Sequence, residues 1–179
     1  MNQLSFFDLI RDDLERVEAL LREQPRDQHP AVNAAMCQLV GGGGKRLRPA
    51  LVLLSSHLCA ADIGRSIFAA AATEMLHTAT LIHDDLLDGS LMRRGLETLN
   101  ARWSPGATVL IGDYVFARAA YLVSQADNLQ LMRRFAETLM VICNGEVEQM
   151  FDGRGRQTTR AKYERRIYAK TASLLALSA

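Results

Sequence analysis

The sequence predicts an all-α protein, a single helical domain over residues 1–179, on three observations. Apolar residues recur at spacings of three and four along most of the chain, the period of a helix with one buried face. Prolines and the longest glycine run fall at a few points that can end or open helices. No stretch of useful length alternates apolar and polar residues as a strand would, and no segment repeats.

The first helix is expected from Leu4 to Glu23, with Phe7, Ile10, Leu14, Val17 and Leu21 along one face. Pro25 and Pro30 break it, and Pro30 can open a short second helix because its missing N–H is not needed in a first turn. Gly41 to Gly44 is a hard stop, and Pro49 falls in the first turn of a third helix. Asp62 caps a long segment rich in Ala and Leu, from Ile63 to Asp88. A loop is expected through Arg93, Arg94, Gly95, Pro105 and Gly106. Helices follow over Val109 to Gln125 and Leu129 to about Phe151. Asp152, Gly153 and Gly155 mark a connector made basic by Arg154 and Arg156, and the helical pattern resumes from Tyr163 to the end. That last helix shows no cap, glycine or proline before Ala179, which suggests a chain stopping inside or just after a helix that once had a neighbour.

The length suits one domain able to bury most of its apolar surface. A hydrophobic fraction of 49%, a charged fraction of 23% and a formal net charge of +1 argue against chain-wide binding to nucleic acid. Any charge that matters must therefore be local. Cys37, Cys59 and Cys143 are widely spaced and fit no metal-ligand pattern; they read as small core residues in a reducing compartment. The N-terminal stretch MNQLSFFDLIRDD is acidic and lacks the basic and apolar regions of a secretory signal. No apolar run approaches the roughly 18 residues of a spanning helix, so the expected location is cytoplasmic, without membrane insertion.

Asp84, Asp85 and Asp88 stand in the run His83-Asp84-Asp85-Leu86-Leu87-Asp88, at the end of the longest expected helix. Asp84 and Asp88, four apart, project from one face, and His77 lies two turns earlier on nearly the same stripe. Like charges at that spacing repel by roughly 0.2–0.5 kcal/mol, and a helix C-terminus disfavours anions further. A cation offsets both costs, and magnesium suits one or two carboxylates completed by water and phosphate oxygens. The same triplet also reads as a solvated acidic helix end.

Gly41-Gly42-Gly43-Gly44-Lys45-Arg46-Leu47-Arg48-Pro49 joins a flexible backbone to three cations. Glycines let N–H groups approach an anion, while Lys and Arg add a point charge and a planar fork. A P-loop is excluded: Leu39 stands where its first glycine belongs, and Arg46 where Ser or Thr must bind the metal. A linker with solvated charges is the other reading. Arg93-Arg94-Gly95 offers two forks suited to diphosphate oxygens, or a local salt-bridge set with the acidic helix end. Lys170-Thr171 adds a cation and a hydroxyl, and Gly145-Glu146-Val147-Glu148-Gln149 puts polar groups on an otherwise apolar helix.

GGGGKRLRP, EMLHTATLIHDDLLDGSLMRRG, VLIGDYVFARA, GEVEQ and KTASLL occur in one order over about Gln38 to Leu175. In this the chain resembles trans-isoprenyl (polyprenyl) diphosphate synthases of the long-chain type. The resemblance implies an isoprenoid-synthase-type helical bundle around a central cavity, a magnesium cofactor, and condensation of isopentenyl diphosphate with an allylic prenyl diphosphate. It implies that Lys45, Arg48, His77 and Arg94 bind isopentenyl diphosphate and that Arg93, Lys170 and Thr171 contact the allylic diphosphate. It implies that Asp84 and Asp88 hold magnesium with Asp85 in support, and that the protein is a homodimer. The family's second aspartate-rich motif is absent. The expectation is therefore an N-terminal portion of the catalytic domain, weak or inactive alone; a non-catalytic partner subunit or inactive fragment is the alternative. Where the family blocks elongation with an aromatic one turn before the aspartates, Ala79 and Thr80 stand here, with Leu76, Thr73, Ala72 and Ala69 beyond. An open channel and a product longer than farnesyl are expected, unless the alanines only let helices pack closely.

Overall fold

In a computed structural model of the protein, residues 6–23, 28–151 and 159–179 are described. Among them the architecture is all-α save for one small hairpin. A 3-10 turn, Phe6–Ile10, leads into α1, Arg11–Arg22, and buries Ile10, Val17 and Leu21 on the expected face. Leu4, Pro25, Asp152, Gly153, Arg154, Gly155 and Arg156 lie outside the described residues. α2, Pro30–Gly41, opens on its proline and ends in the glycine run, and α3, Leu47–Leu58, carries Pro49 in its first turn. α4, Ile63–Leu87, starts where the Asp62 carboxylate accepts the Arg65 N–H at 3.2 Å, and Asp88 forms its C-cap. α6, Pro105–Ser124, and α7, Leu129–Phe151, are followed by α8, Arg160–Ile167. A π-helical turn, Tyr168–Ala172, then joins α8 to α9, Ser173–Ser178.

α4 is the axis of the molecule, with α1, α3 and above all α6 packed around it. Its alanines 69–72, with Met75, Leu76 and Ala79, are buried core. Small residues allow that closeness. A Cβ on Gly112 of α6 would sit 2.5 Å from His83 Nε2, so glycine lets the His83 ring lie against α6 where any larger residue would displace it.

The structure corrects several expectations. The loop after α4 contains a hairpin, β1 (Met92–Arg93) with β2 (Leu96–Glu97), and a short helix, α5 (Leu99–Arg102). Arg94 and Gly95 make its two-residue turn with φ of 51° and 80°, the double left-handed geometry that matches strand twist. Strands of two residues are too short to show alternation. α6 begins before Val109 because Pro105 sits in the first turn and Ser104 caps it, accepting from the Ala107 N–H at 3.4 Å. α8 likewise begins before Tyr163, at the Thr159 cap. Cys37, Cys59 and Cys143 are all exposed, not core: Cys37 and Cys143 stand on outer helix faces and Cys59 caps the end of α3, placements that hydrophobicity alone does not specify. α6 is long and apolar enough to cross a membrane by length and composition, contrary to expectation. Its buried Ile111, Val115, Ala119 and Leu122 face the core instead, together with buried Arg118.

Candidate active site

The C-terminal end of α4 collects most of the chemistry-bearing residues, in two groups. The first lines a cavity of ≈ 110 Å³ between α2, α4 and the hairpin, whose walls include Gly42, Gly43, Glu74, His77, Asp85, Arg93 and Arg94. The hairpin aims its two arginines differently, Arg93 from the end of β1 and Arg94 from the turn. Arg93 donates from Nε to both Asp85 oxygens, at 2.9 and 3.0 Å, and its Nη2 lies 2.8 Å from Oδ1. Arg94, among the described residues, donates only to the Gly43 carbonyl, at 3.3 Å. Gln38 ties the hairpin to α2 through its amide, 2.8 Å from the Glu97 carbonyl, a role the sequence did not signal.

The carboxylates near this cavity are already taken. Asp85 belongs to Arg93, and Glu74 belongs to Arg46, whose Nη1 lies 3.2 Å away. Arg46 is also bonded to Glu18 of α1, so of the three cations in the glycine-rich run it is the structural one. Among the described residues, no ion pair reaches Arg48 or Arg94, and Arg48 Nε is buried with no hydrogen-bond partner. A guanidinium N–H orphaned in this way is costly unless an anion arrives. Burial pulls Arg48 below its ordinary range, with the field of Arg94 adding to it against that of Glu74. Lys45 is exposed on the loop before α3.

His77 reports the same excess of positive charge. Burial first, then Arg48, Arg94 and Arg93, push its imidazole down to about 4. The unfolded chain takes up this proton near pH 6.5, and the folded chain refuses it until about 4. The fold therefore loses stability as pH falls through that window, by up to about 3 kcal/mol. Thermal unfolding of wild type and His77→Asn should diverge only below about pH 6.5, with wild type losing more; parallel curves would refute a neutral buried imidazole.

The second group lies outside that cavity. Asp84, with 17% of its side chain exposed, meets Lys170 Nζ at 3.4 Å, and the same ammonium is 3.1 Å from Glu146 Oε1. Lys170 reaches both from the π-helical turn, a distortion frequent at functional sites. Gly145 makes the approach possible: a Cβ there would stand 2.4 Å from the Ala169 Cβ. Burial raises Asp84 above the ordinary carboxylate range; Lys170 opposes this, and Glu146 and Asp88 add to it. Asp88 is exposed and has no ion pair among the described residues. Thr171 is exposed in the π turn.

Among the described residues there is no preassembled cluster of three or more metal-ligating side chains. Two carboxylates at one helix end, one already attracting an ammonium, nevertheless fit magnesium, which draws its remaining ligands from water and phosphate. The open channel expected beside Ala79 and Thr80 is not found at Ala79. Ala72, Thr73, Leu76 and Ala79 are core, and a cavity of ≈ 430 Å³ lies at the other end of α4, lined in part by Ser55, Ala69, Thr73 and Leu131.

A profile of the family Polyprenyl synthetase matches residues 29–179. The octaprenyl diphosphate synthase of Haemophilus influenzae is 37% identical over 162 residues, covering 90% of this chain and 49% of the relative. A crystal structure of a decaprenyl diphosphate synthase from Rhodobacter capsulatus superposes with a TM-score of 0.91 at 37% identity, over 97% of this chain and 54% of that one. A polyprenyl synthase from Caulobacter crescentus, crystallised with calcium and isoprenyl diphosphate, gives 0.90 at 35% identity, over 97% and 53%. The chain thus spans about half the length of the relatives it matches.

Proposed function

Because the chain belongs to the polyprenyl synthetase family, we propose that it carries the substrate-binding part of a prenyltransferase that condenses isopentenyl diphosphate with an allylic prenyl diphosphate. One observation carries this reading: Arg48 and Arg94 are left without carboxylates beside a neutral His77, with Arg48 Nε buried and orphaned. Such a set binds a diphosphate and gains more from it than solvated lysines would. Lys45, on the adjoining glycine loop, completes the isopentenyl diphosphate set. Asp84 and Asp88 hold magnesium, which supplies neutralisation of the charge on the departing allylic diphosphate. Lys170, Thr171 and Arg93 contact that same diphosphate, and Asp85 fixes Arg93.

In the reaction the allylic C–O bond breaks, the isopentenyl double bond attacks the resulting cation to form a C–C bond, and a proton leaves. Positioning and electrostatics do most of the work. Products longer than farnesyl are part of the reading, supported by the long-chain relatives. So are a cytoplasmic location and a homodimer, for which exposed Leu110 and Tyr121 on α6 and Leu129 and Met140 on α7 offer apolar surface.

Calorimetric titration with isopentenyl diphosphate tests the proposal. Arg48→Ala and Lys45→Ala are each expected to lose roughly 1.5–3 kcal/mol of binding, Arg48 the more because it is half-buried. Unfolding temperatures should barely move. A large stability loss with unchanged affinity favours the linker reading and overturns this one.

A further inference from the structure

Glu74 is the carboxylate best placed to close the anion site. It sits on α4 one turn before His77, is 8% exposed and lines the same cavity. Its field acts on Arg48, yet no ion pair joins the two. What holds it off is Arg46. The Arg46 guanidinium donates to Glu74 from Nη1 at 3.2 Å, to the Val40 carbonyl from Nη2 at 3.3 Å, and to Glu18 from Nε. Every nitrogen has an internal acceptor, so three of the five N–H groups of Arg46 are committed within the protein. Its backbone is left-handed, φ 49°, an unfavourable state for a non-glycine residue that these contacts hold in place. Gly44 presses on the same group: a Cβ there would lie 3.2 Å from Arg46 Nη1 and 3.4 Å from Arg94 Nη1.

We propose that Arg46 is a positioning residue that sequesters Glu74, so that Arg48 stays open to the diphosphate of isopentenyl diphosphate. Without Arg46, the Glu74 carboxylate turns to the uncompensated Arg48, on which its field already acts, and competes with substrate. This rests on the functional reading above and goes beyond it, since it assigns a residue that touches no substrate.

Calorimetry with isopentenyl diphosphate, on wild type, Arg46→Gln, Glu74→Gln and the double variant, tests it. Arg46→Gln is expected to weaken binding roughly 10- to 30-fold, on the scale of one charge-assisted contact. Glu74→Gln alone should bind as tightly as wild type or more tightly. The double variant should return to within about threefold of Glu74→Gln, although its bonds to Glu18 and Val40 are still missing. A merely structural role predicts no such rescue, so a double variant as weak as Arg46→Gln overturns the proposal. So does Arg46→Gln binding like wild type. If Arg46→Gln does not fold, Glu74→Gln decides: weaker binding than wild type is contrary to the proposal. Absence of saturable binding by wild type would instead bring down the functional reading, and this proposal with it.

Discussion

Removing both carboxylates in an Asp84→Ala, Asp88→Ala variant is expected to weaken magnesium-dependent binding of a diphosphate analogue by about two to four orders of magnitude. Each lost ligand removes a contact between charged groups on the scale of about 1.5–3 kcal/mol. Folding should not suffer. Burial raises Asp84 above its unfolded range, so its ionised form is held at a cost that the fold sheds when the charge is deleted. Asp88 sits at a helix C-terminus, where the dipole also disfavours an anion. The variant's unfolding temperature without metal should match or exceed wild type. Calorimetry with magnesium, first alone and then with the analogue, checks this: binding should need both in wild type, because two carboxylates do not complete an octahedral shell. Unchanged affinity in the variant would sink the assignment.

The second large effect concerns product length. Ala79, five residues before Asp84, points about 140° around the helix from that carboxylate, and it is completely buried. No open channel runs past Ala79, so a tail anchored at Asp84 reaches the cavity at Ala69 and Thr73, roughly 16–22 Å along α4, only when the packing around Ala79 parts to admit it. Ala79→Phe, assayed in a chain of the relatives' full length, is therefore expected to shorten the product sharply while leaving the first condensation intact. It should also cost about 1–3 kcal/mol of stability, since a packed core absorbs a ring only by displacement. Product chromatography beside thermal unfolding separates the two readings. The same long product with lowered stability would mean that Ala79 serves helix packing alone, as its burial against close neighbours allows.

Much of this was legible in the sequence because the signals are local. Helix periods, the Asp62 cap and Pro30 at a first turn act within a few residues, and the structure has each where the sequence places it. The caps at Ser104 and Thr159 are equally local, but Pro105 and Gly106 after Ser104 carry a loop signal as strong as the helix-opening one. The hairpin was hidden because two-residue strands have no period, and its turn puts Arg94 at a positive φ usually left to glycine or asparagine.

The sequence by itself determined the helical class and the chemical inventory: three aspartates at one helix end, a basic glycine-rich run, two adjacent arginines and a lysine–threonine pair. Only the tertiary structure decided how those charges are divided. Glu74 and Glu18 neutralise Arg46, and Asp85 neutralises Arg93. Lys170 bridges Asp84 and Glu146, while Arg48 and Arg94 remain open beside His77. It also decided that the small residues near Ala79 are core and that the cysteines are exposed. The reason is physical: the type of a charge is fixed by its residue, but its partner and its burial depend on distances between segments far apart in the chain. At a few ångströms in a poorly solvated site, one acceptor can satisfy one guanidinium and leave its neighbour waiting for a ligand.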